Sequence, residues 1–244
     1  MPDRRLLVLW DVDHTLIENA GVSKENYALA FELLTGHRPT LAARTDGRTD
    51  PEIMRNLLTD NRVDPSVFSE QRVTAALVEA MQRHSARLTE RGHMLPGVAD
   101  TLAMVGKLDA VVQSVLTGNI APNAAAKLRL LGDVTSLLDL EVGGYGSDDV
   151  VRSRLVPAAQ AKATAKYGYR FDRADTVLIG DTERDVEAAL NGGALVIGVA
   201  TGPSSEAELV AAGAHATVPD LTEAQAVVAT LAAVTGMDFD APAA

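Results

Sequence analysis

Five consecutive bulky apolar residues, Leu6-Leu7-Val8-Leu9-Trp10, run directly into Asp11-Val12-Asp13-His14-Thr15. A run of that length and bulk reads as a strand buried on both faces, the kind found inside a parallel sheet. Its C-terminal end then carries two carboxylates one residue apart, with no lysine or arginine following until Lys24. In open α/β sheets ligands bind outside the carboxyl ends of the strands, so an acidic pair placed there calls for a cation. Asp and Thr are also ordinary turn and capping residues, and D-x-D-x-T alone does not separate the two readings. The remainder of the chain does.

With 244 residues and 47% apolar content, the chain can bury a sizeable core. Its 22 basic and 33 acidic residues give a net charge of −11. That balance argues against non-specific binding to nucleic acid or anionic lipid, so neither is expected as a partner. A phosphorylated ligand would need a local positive site, supplied by a metal or a few basic side chains. Cysteine is absent, which excludes disulfides, thiolate metal sites and a cysteine nucleophile. The apolar run after Met1-Pro2-Asp3-Arg4-Arg5 is too short for a signal peptide, and no run approaches about 18 apolar residues. A soluble cytoplasmic protein is the expectation.

Residues 18–93 change character, becoming polar and helical with no convincing strand. Tyr27, Ala30, Phe31 and Leu34 have helical spacing, and Gly36 is placed to stop that helix. Asp50-Pro51 reads as the start of a second helix, with Asp as N-cap and Pro at the first position. A third runs from about Ser66 toward Gly92, with Val73, Leu77, Met81, His84 and Leu88 on one face. Such a unit, inserted straight after the first strand, can cover the strand ends and shut out water. The expected organisation is a core over 1–17 and 94–244 and a helical cap over 18–93.

From Leu95-Pro96-Gly97 onward strands alternate with helices. Strands are expected at Ala110 to Leu116, near Leu138 to Val142, at Thr176 to Ile179, Ala194 to Val199 and Ala216 to Val218, and residues 237–244 read as a frayed tail. Alternation of this kind means a doubly wound parallel sheet. Three of its strands end in polar clusters: Asp11 and Asp13, Thr117-Gly118-Asn119, and Asp181 with Asp185. A parallel sheet lines all three along one edge. Asp185 is adequately explained as a helix-start acid. Asp181 would meet Asp11 and Asp13 if the first and fourth core strands are neighbours, and carboxylates so crowded need a hard divalent cation, for which Mg²⁺ is suited.

Taken in order, D-x-D-x-T, T-G-N, a basic residue and G-D-T-x-x-D resemble the four motifs of the haloacid dehalogenase superfamily, in its phosphoglycolate phosphatase-like branch with a helical cap after the first motif. The resemblance spans nearly the whole chain and is thinnest in the cap. It implies a Rossmann-like core with strand order 3-2-1-4-5 and a Mg²⁺-dependent phosphatase acting on a small phosphate monoester through an aspartyl phosphate. On that pattern Asp11 matches the nucleophile and Asp13 the general acid and base. The metal would be held by the Asp11 side chain, the backbone carbonyl of Asp13 and the carboxylate of Asp181. Thr117 and Gly118 match the phosphate-binding hydroxyl and backbone N–H. Arg152 or Arg154 would be the basic residue of the third motif, Arg152 being preferred for its place at a helix start. Gly47-Arg48-Thr49-Asp50 resembles the substrate-facing cap loop, which makes Arg48 a candidate contact for a substrate anion. His14 stands where many relatives have Gly, and its side chain is expected to face solvent.

Rival activities share parts of this pattern. Dehalogenation in the same superfamily uses an Asp nucleophile but no metal and no second Asp, so Asp13 and Asp181 argue against it. A phosphomutase would pass the phosphoryl group to a second acceptor, and sequence does not separate that outcome from hydrolysis. A receiver-like binding domain has a similar acidic edge but about half this length and no late G-D-x-x-x-D. An inactive member that only binds would be expected to lack one of the acids, and none is missing.

Overall fold

A computed structural model describes residues 4–239. The chain begins with β1 (Leu6–Trp10), followed by β2 (Ile17–Glu18), α1 (Val22–Thr35), α2 (Asp50–Asp60), α3 (Glu70–Arg91) and β3 (His93–Met94). Alternation then sets in with α4 (Val98–Val105), β4 (Val111–Thr117), α5 (Ala121–Leu128), β5 (Gly144–Tyr145), α6 (Leu155–Tyr167) and β6 (Thr176–Gly180). The chain finishes with α7 (Glu183–Gly192), β7 (Leu195–Val199), α8 (Glu206–Ala211), β8 (Ala216–Val218) and α9 (Ala224–Thr235).

Six strands form one parallel sheet in the order β5-β4-β1-β6-β7-β8. Numbered as core strands this is the expected 3-2-1-4-5, with β8 added at the edge. All five residues of β1 are buried, as a central strand covered on both faces requires. Its side chains alternate between two cores. Leu6, Val8 and Trp10 pack with Val98 and Leu102 of α4 and Leu231 of α9. Leu7 and Leu9 pack with Val156 of α6 and Val186 of α7. The sheet order places β1 between β4 and β6, and all three run parallel, so the loops after them open on the same edge.

α1, α2 and α3 enclose their own core of Tyr27, Phe31, Ile53, Leu57 and Leu77, which Ile120 joins from the loop after β4. A pair of two-residue strands closes the base of this insert, with Ile17 opposite Met94 and Glu18 opposite His93. Strands that short leave no periodic trace in sequence.

Several expected boundaries move. The stretch Leu138 to Val142 is not a strand: Asp139 accepts the backbone N–H of Glu141 at 3.2 Å, and residues Leu140–Val142 form a 3₁₀ turn. Leu138 and Val142 are buried all the same, so a turn packed on one side imitates strand alternation. The strand lies two residues on, at Gly144–Tyr145, within the glycine-rich stretch. Helix α2 is capped by Thr49, not Asp50, and α3 starts at Glu70 behind Ser69 after a separate 3₁₀ turn at Pro65–Val67. Of the expected frayed tail, Met237 and Phe239 pack on the main core, and residues 240–244 lie outside the described residues. Among the described residues no helix is long and apolar enough to cross a membrane.

Candidate active site

The ends of β1 and β6 meet as their pairing requires. The backbone N–H of Asp11 donates to the carbonyl of Ile179 at 2.8 Å, extending the ladder by one residue and setting Asp11 beside Asp181. Asp185 follows on α7, where it closes a capping box with Thr182: Thr182 Oγ1 accepts from Asp185 N–H, and Asp185 Oδ2 accepts from Thr182 N–H at 3.1 Å. Asp11, Asp181 and Asp185 can each offer one carboxylate oxygen within 4.8 Å of the others, and all three are buried. Asp185 therefore has a second duty beyond helix capping, one that its sequence position did not announce.

Arg152 stands among these acids. From the 3₁₀ turn Arg152–Arg154 before α6, its guanidinium donates to Asp11 Oδ1 at 2.7 Å and to Asp185 Oδ1 through both Nε and a terminal nitrogen. Of the two arginines considered for the third motif, only Arg152 reaches the acids. Arg154 is exposed and meets Asp149 at 3.4 Å.

One positive charge cannot balance three buried carboxylates. Burial, followed by the neighbouring charge of Asp185, pushes the Asp11 carboxyl up to about 7 against the pull of Arg152. Burial and the charges of Asp185 and Asp11 hold the Asp181 carboxyl well above the usual range. Thr15 Oγ1 donates to Asp181 Oδ1 at 3.2 Å, while Asp181 Oδ2 is buried with no hydrogen-bond partner among the described residues. Gly202, in the turn after β7, lies against that orphan oxygen, and a Cβ there would come within 1.7 Å of it. An all-carboxylate group with an unsatisfied buried oxygen suits a hard divalent cation.

Asp13 faces the other way. Its carboxylate accepts from Lys127 Nζ at 2.6 and 2.8 Å, from Asn119 Nδ2 at 2.8 Å and from Asn19 Nδ2 at 2.7 Å. Burial alone would raise this carboxyl, but the Lys127 charge and the hydrogen bonds outweigh it and hold it below the ordinary value. The Asp13 side chain is thus not among the clustered acids, and any share it takes in a metal falls to its backbone carbonyl. Lys127 and Asn19 escaped the sequence reading, and Asn119 entered it only as a member of the Thr117-Gly118-Asn119 cluster, with no role of its own. A lysine on the apolar face of α5, beside Asn123, Ala124 and Leu128, was the available signal.

Thr117 Oγ1 accepts from Asn119 Nδ2 at 2.7 Å, which leaves its own proton to donate. Gly118 packs so tightly under the 45–50 loop that a Cβ would fall 2.0 Å from the Arg48 carbonyl. That loop is fastened at several points. Asp50 N–H donates to the Gly118 carbonyl at 2.7 Å, Asp50 Oδ2 accepts from Ile120 N–H at 2.8 Å, and Thr49 Oγ1 donates to the Val150 carbonyl at 2.7 Å. The other Asp50 oxygen takes the Tyr27 hydroxyl, tying α1 to the same junction.

Between the insert and the strand ends lies a cavity of about 200 Å³, reached by Asp11, Thr117, Lys127, Arg152, Asp181 and Arg48. Arg48 also approaches Glu52 at 3.5 Å. His14 has a positive φ of 62°, its side chain is partly open to solvent, and its ring meets Glu18 2.9 Å away beside the cavity. The side chains form two charge groups beside one small cavity: Asp11 and Asp185 on Arg152 with Asp181 next to them, and Asp13 on Lys127.

The chain is similar to known proteins in sequence and in fold. A family model described as HAD-hydrolase-like matches residues 152–224. A protein of Dickeya dadantii, described as "Probable phosphatase IndB", is 30% identical over 224 residues, covering 89% of this chain and 90% of its own. Among solved structures, a hydrolase from Pseudomonas syringae superposes with a TM-score of 0.68 at 19% identity, covering 93% of this chain and 99% of that one. A predicted phosphatase from Clostridium acetobutylicum superposes with a TM-score of 0.65 at 18% identity, covering 93% and 100%. At such identities the two structures speak to the fold alone.

Proposed function

The chain belongs to the haloacid dehalogenase-like hydrolases, and from that premise we propose that it is a Mg²⁺-dependent phosphatase cleaving small phosphate monoesters through a phosphorylated Asp11. The observation that carries this reading is the meeting of Asp11 with Asp181 and Asp185 within 4.8 Å, beside a cavity that Asp11, Asp181, Thr117 and Arg152 line.

The residues divide the work as follows. An Asp11 carboxylate oxygen attacks phosphorus and the ester P–O bond breaks. Asp13, kept ionised by Lys127 until the charge of the arriving ester raises its proton affinity, takes up a solvent proton and passes it to the leaving oxygen, then removes one from the water that attacks the aspartyl phosphate, so that Asp11 and inorganic phosphate are both released. The Thr117 hydroxyl, the Gly118 N–H and the Arg152 guanidinium bind the phosphoryl oxygens where negative charge gathers. Asp11, Asp181 and the Asp13 carbonyl would hold Mg²⁺, with Asp185 near enough to join them; when bound, the ion neutralises these carboxylates and the phosphate.

Residues 18–93 act as the cap over a core of 1–17 and 94–244, and the Thr45–Asp50 loop closes the cavity from above. A space of about 200 Å³ admits a small metabolite rather than a polymer end. Arg48 offers the substrate's remote end an anion contact. Release of phosphate from p-nitrophenyl phosphate and from a panel of metabolite monoesters, with Mg²⁺ and with EDTA, tests the reading. Turnover that needs Mg²⁺ and vanishes in Asp11→Asn is the expected result. Inertness of the whole panel, or an Asp11→Asn variant that keeps most of the rate, would refute it.

A further inference from the structure

The Lys127 side chain is only 2% exposed, yet it carries a charge into the protein. All three of its ammonium protons are committed: two contacts run to the oxygens of Asp13, at 2.6 and 2.8 Å, and one to Asn119 Oδ1 at 2.7 Å. An ammonium with no proton to spare is a poor ligand for a substrate anion, although Lys127 borders the cavity. It contacts none of Asp11, Asp181 and Asp185. Its effect falls on Asp13, whose two oxygens are each gripped twice, by Lys127 together with Asn19 on one side and Asn119 on the other.

We propose that Lys127 is a positioning residue for proton transfer: it fixes the plane of the Asp13 carboxylate, directly and through Asn119, toward the ester oxygen that departs. The assignment rests on the reading of Asp13 as proton carrier. The geometry favours it over a purely structural ion pair because the same amide nitrogen, Asn119 Nδ2, serves both Asp13 at 2.8 Å and Thr117 Oγ1 at 2.7 Å. One ammonium thereby sets the proton carrier in register with the hydroxyl assigned to the phosphate.

The test compares esters that differ in how much they need a proton. 2,4-Dinitrophenolate leaves unaided, whereas phenolate does not. Wild type, Lys127→Met, Lys127→Arg, Asp13→Asn and the double variant Asp13→Asn/Lys127→Met are assayed on 2,4-dinitrophenyl, p-nitrophenyl and phenyl phosphate. The value read is kcat/KM, which covers the steps up to departure of the phenolate.

Lys127→Met should lose about 10²-fold on phenyl phosphate, the scale of general acid catalysis, and less than about 10-fold on the dinitrophenyl ester. The double variant should be no slower than Asp13→Asn, since the two residues act as one unit. A uniform loss across the three esters, no loss, or a double variant slowed by the product of the single effects would overturn the assignment. If Lys127→Met does not fold, Lys127→Arg carries the same comparison: it keeps the charge but cannot place three protons on the same acceptors. A uniform or absent effect there is equally fatal. Wild type inert on all three esters would defeat the phosphatase reading, and this assignment with it, before any variant is made.

Discussion

Arg152 donates to Asp11 across 2.7 Å although 141 positions separate them in the chain. The contact joins the 3₁₀ turn ahead of α6 to the end of the central strand, and it leaves the guanidinium beside Asp185 as well. The arginine is thus counter-ion to the candidate nucleophile and, on the proposed function, donor to the phosphate that would sit on it.

Arg152→Met should lower turnover of p-nitrophenyl phosphate by about 10²- to 10³-fold, the cost of removing a donor aimed at developing charge. It should also cost about 3–5 kcal/mol of stability, because buried acids lose their partner. Arg154→Met should leave both quantities near wild type, its guanidinium being exposed and only loosely paired. Phosphate release and denaturant unfolding check all three statements; an Arg154→Met variant as damaged as Arg152→Met would reverse the assignment.

Stability and Mg²⁺ binding should respond to pH in opposite senses. Asp11 rises from 3.8 to about 7 on folding, so its contribution to stability is full below the lower value and is lost as pH climbs through the upper one. Asp181 is raised too and acts in the same direction. Mg²⁺ bound among the ionised acids, as proposed, would relieve that loss. The gain in Tm on adding Mg²⁺ should therefore be larger at about pH 8 than at about pH 5.5. Equal gains at both would contradict the shared-ion reading.

Gly202→Ala should behave like an active-site mutation although it removes no functional group. Its Cβ would fall 1.7 Å from Asp181 Oδ2, so that carboxylate must move from its place beside Asp11. The Mg²⁺-dependent shift in Tm should shrink or disappear and turnover should drop about 10²-fold, as small displacements in preorganised sites do. Far-ultraviolet circular dichroism should be unchanged. Wild-type metal titration in this variant would argue that Asp181 is not a ligand.

Asp50→Ala should loosen the insert from the strand ends. It deletes the acceptor for Ile120 N–H and for the Tyr27 hydroxyl, both buried, at an expected cost of about 1–3 kcal/mol. KM for p-nitrophenyl phosphate should rise several-fold while Asp11 and its partners stay intact. Unchanged KM and unchanged unfolding midpoint together would show that the loop is held by Thr49 and Gly118 instead.

The sheet and the acids at its edge could be read from sequence because each is written locally. Leu6–Trp10 is a buried strand by its own composition, and the acid clusters follow their strands without interruption. What escaped was set by tertiary packing. Lys127 left only its place on the apolar face of α5 as a trace in sequence, and the approach of α5 to the β1 loop is what turns its ammonium onto Asp13. Asp185 looked like a capping acid because it is one; that its other oxygen faces Arg152 depends on α6 and α7 lying side by side. The choice of Thr49 over Asp50 as N-cap had the same cause, Asp50 being drawn away to Tyr27 and Ile120. Leu138 to Val142 failed for the opposite reason, a local Asx turn beneath a pattern that imitates a strand.

The order β5-β4-β1-β6-β7-β8 puts the first strand made at the centre of the finished sheet. During synthesis Asp11 emerges far ahead of Lys127, Arg152, Asp181 and Asp185, and β6 can join β1 only after all the intervening chain has been produced. These are long-range contacts, the slow kind to form. An incomplete nascent chain thus carries Asp11 without Arg152, without Asp181 and Asp185, and with no enclosing cavity. Catalytic competence arrives together with the closing steps of folding, and the first hydrolytic turnover would report that the sheet has zipped through β6.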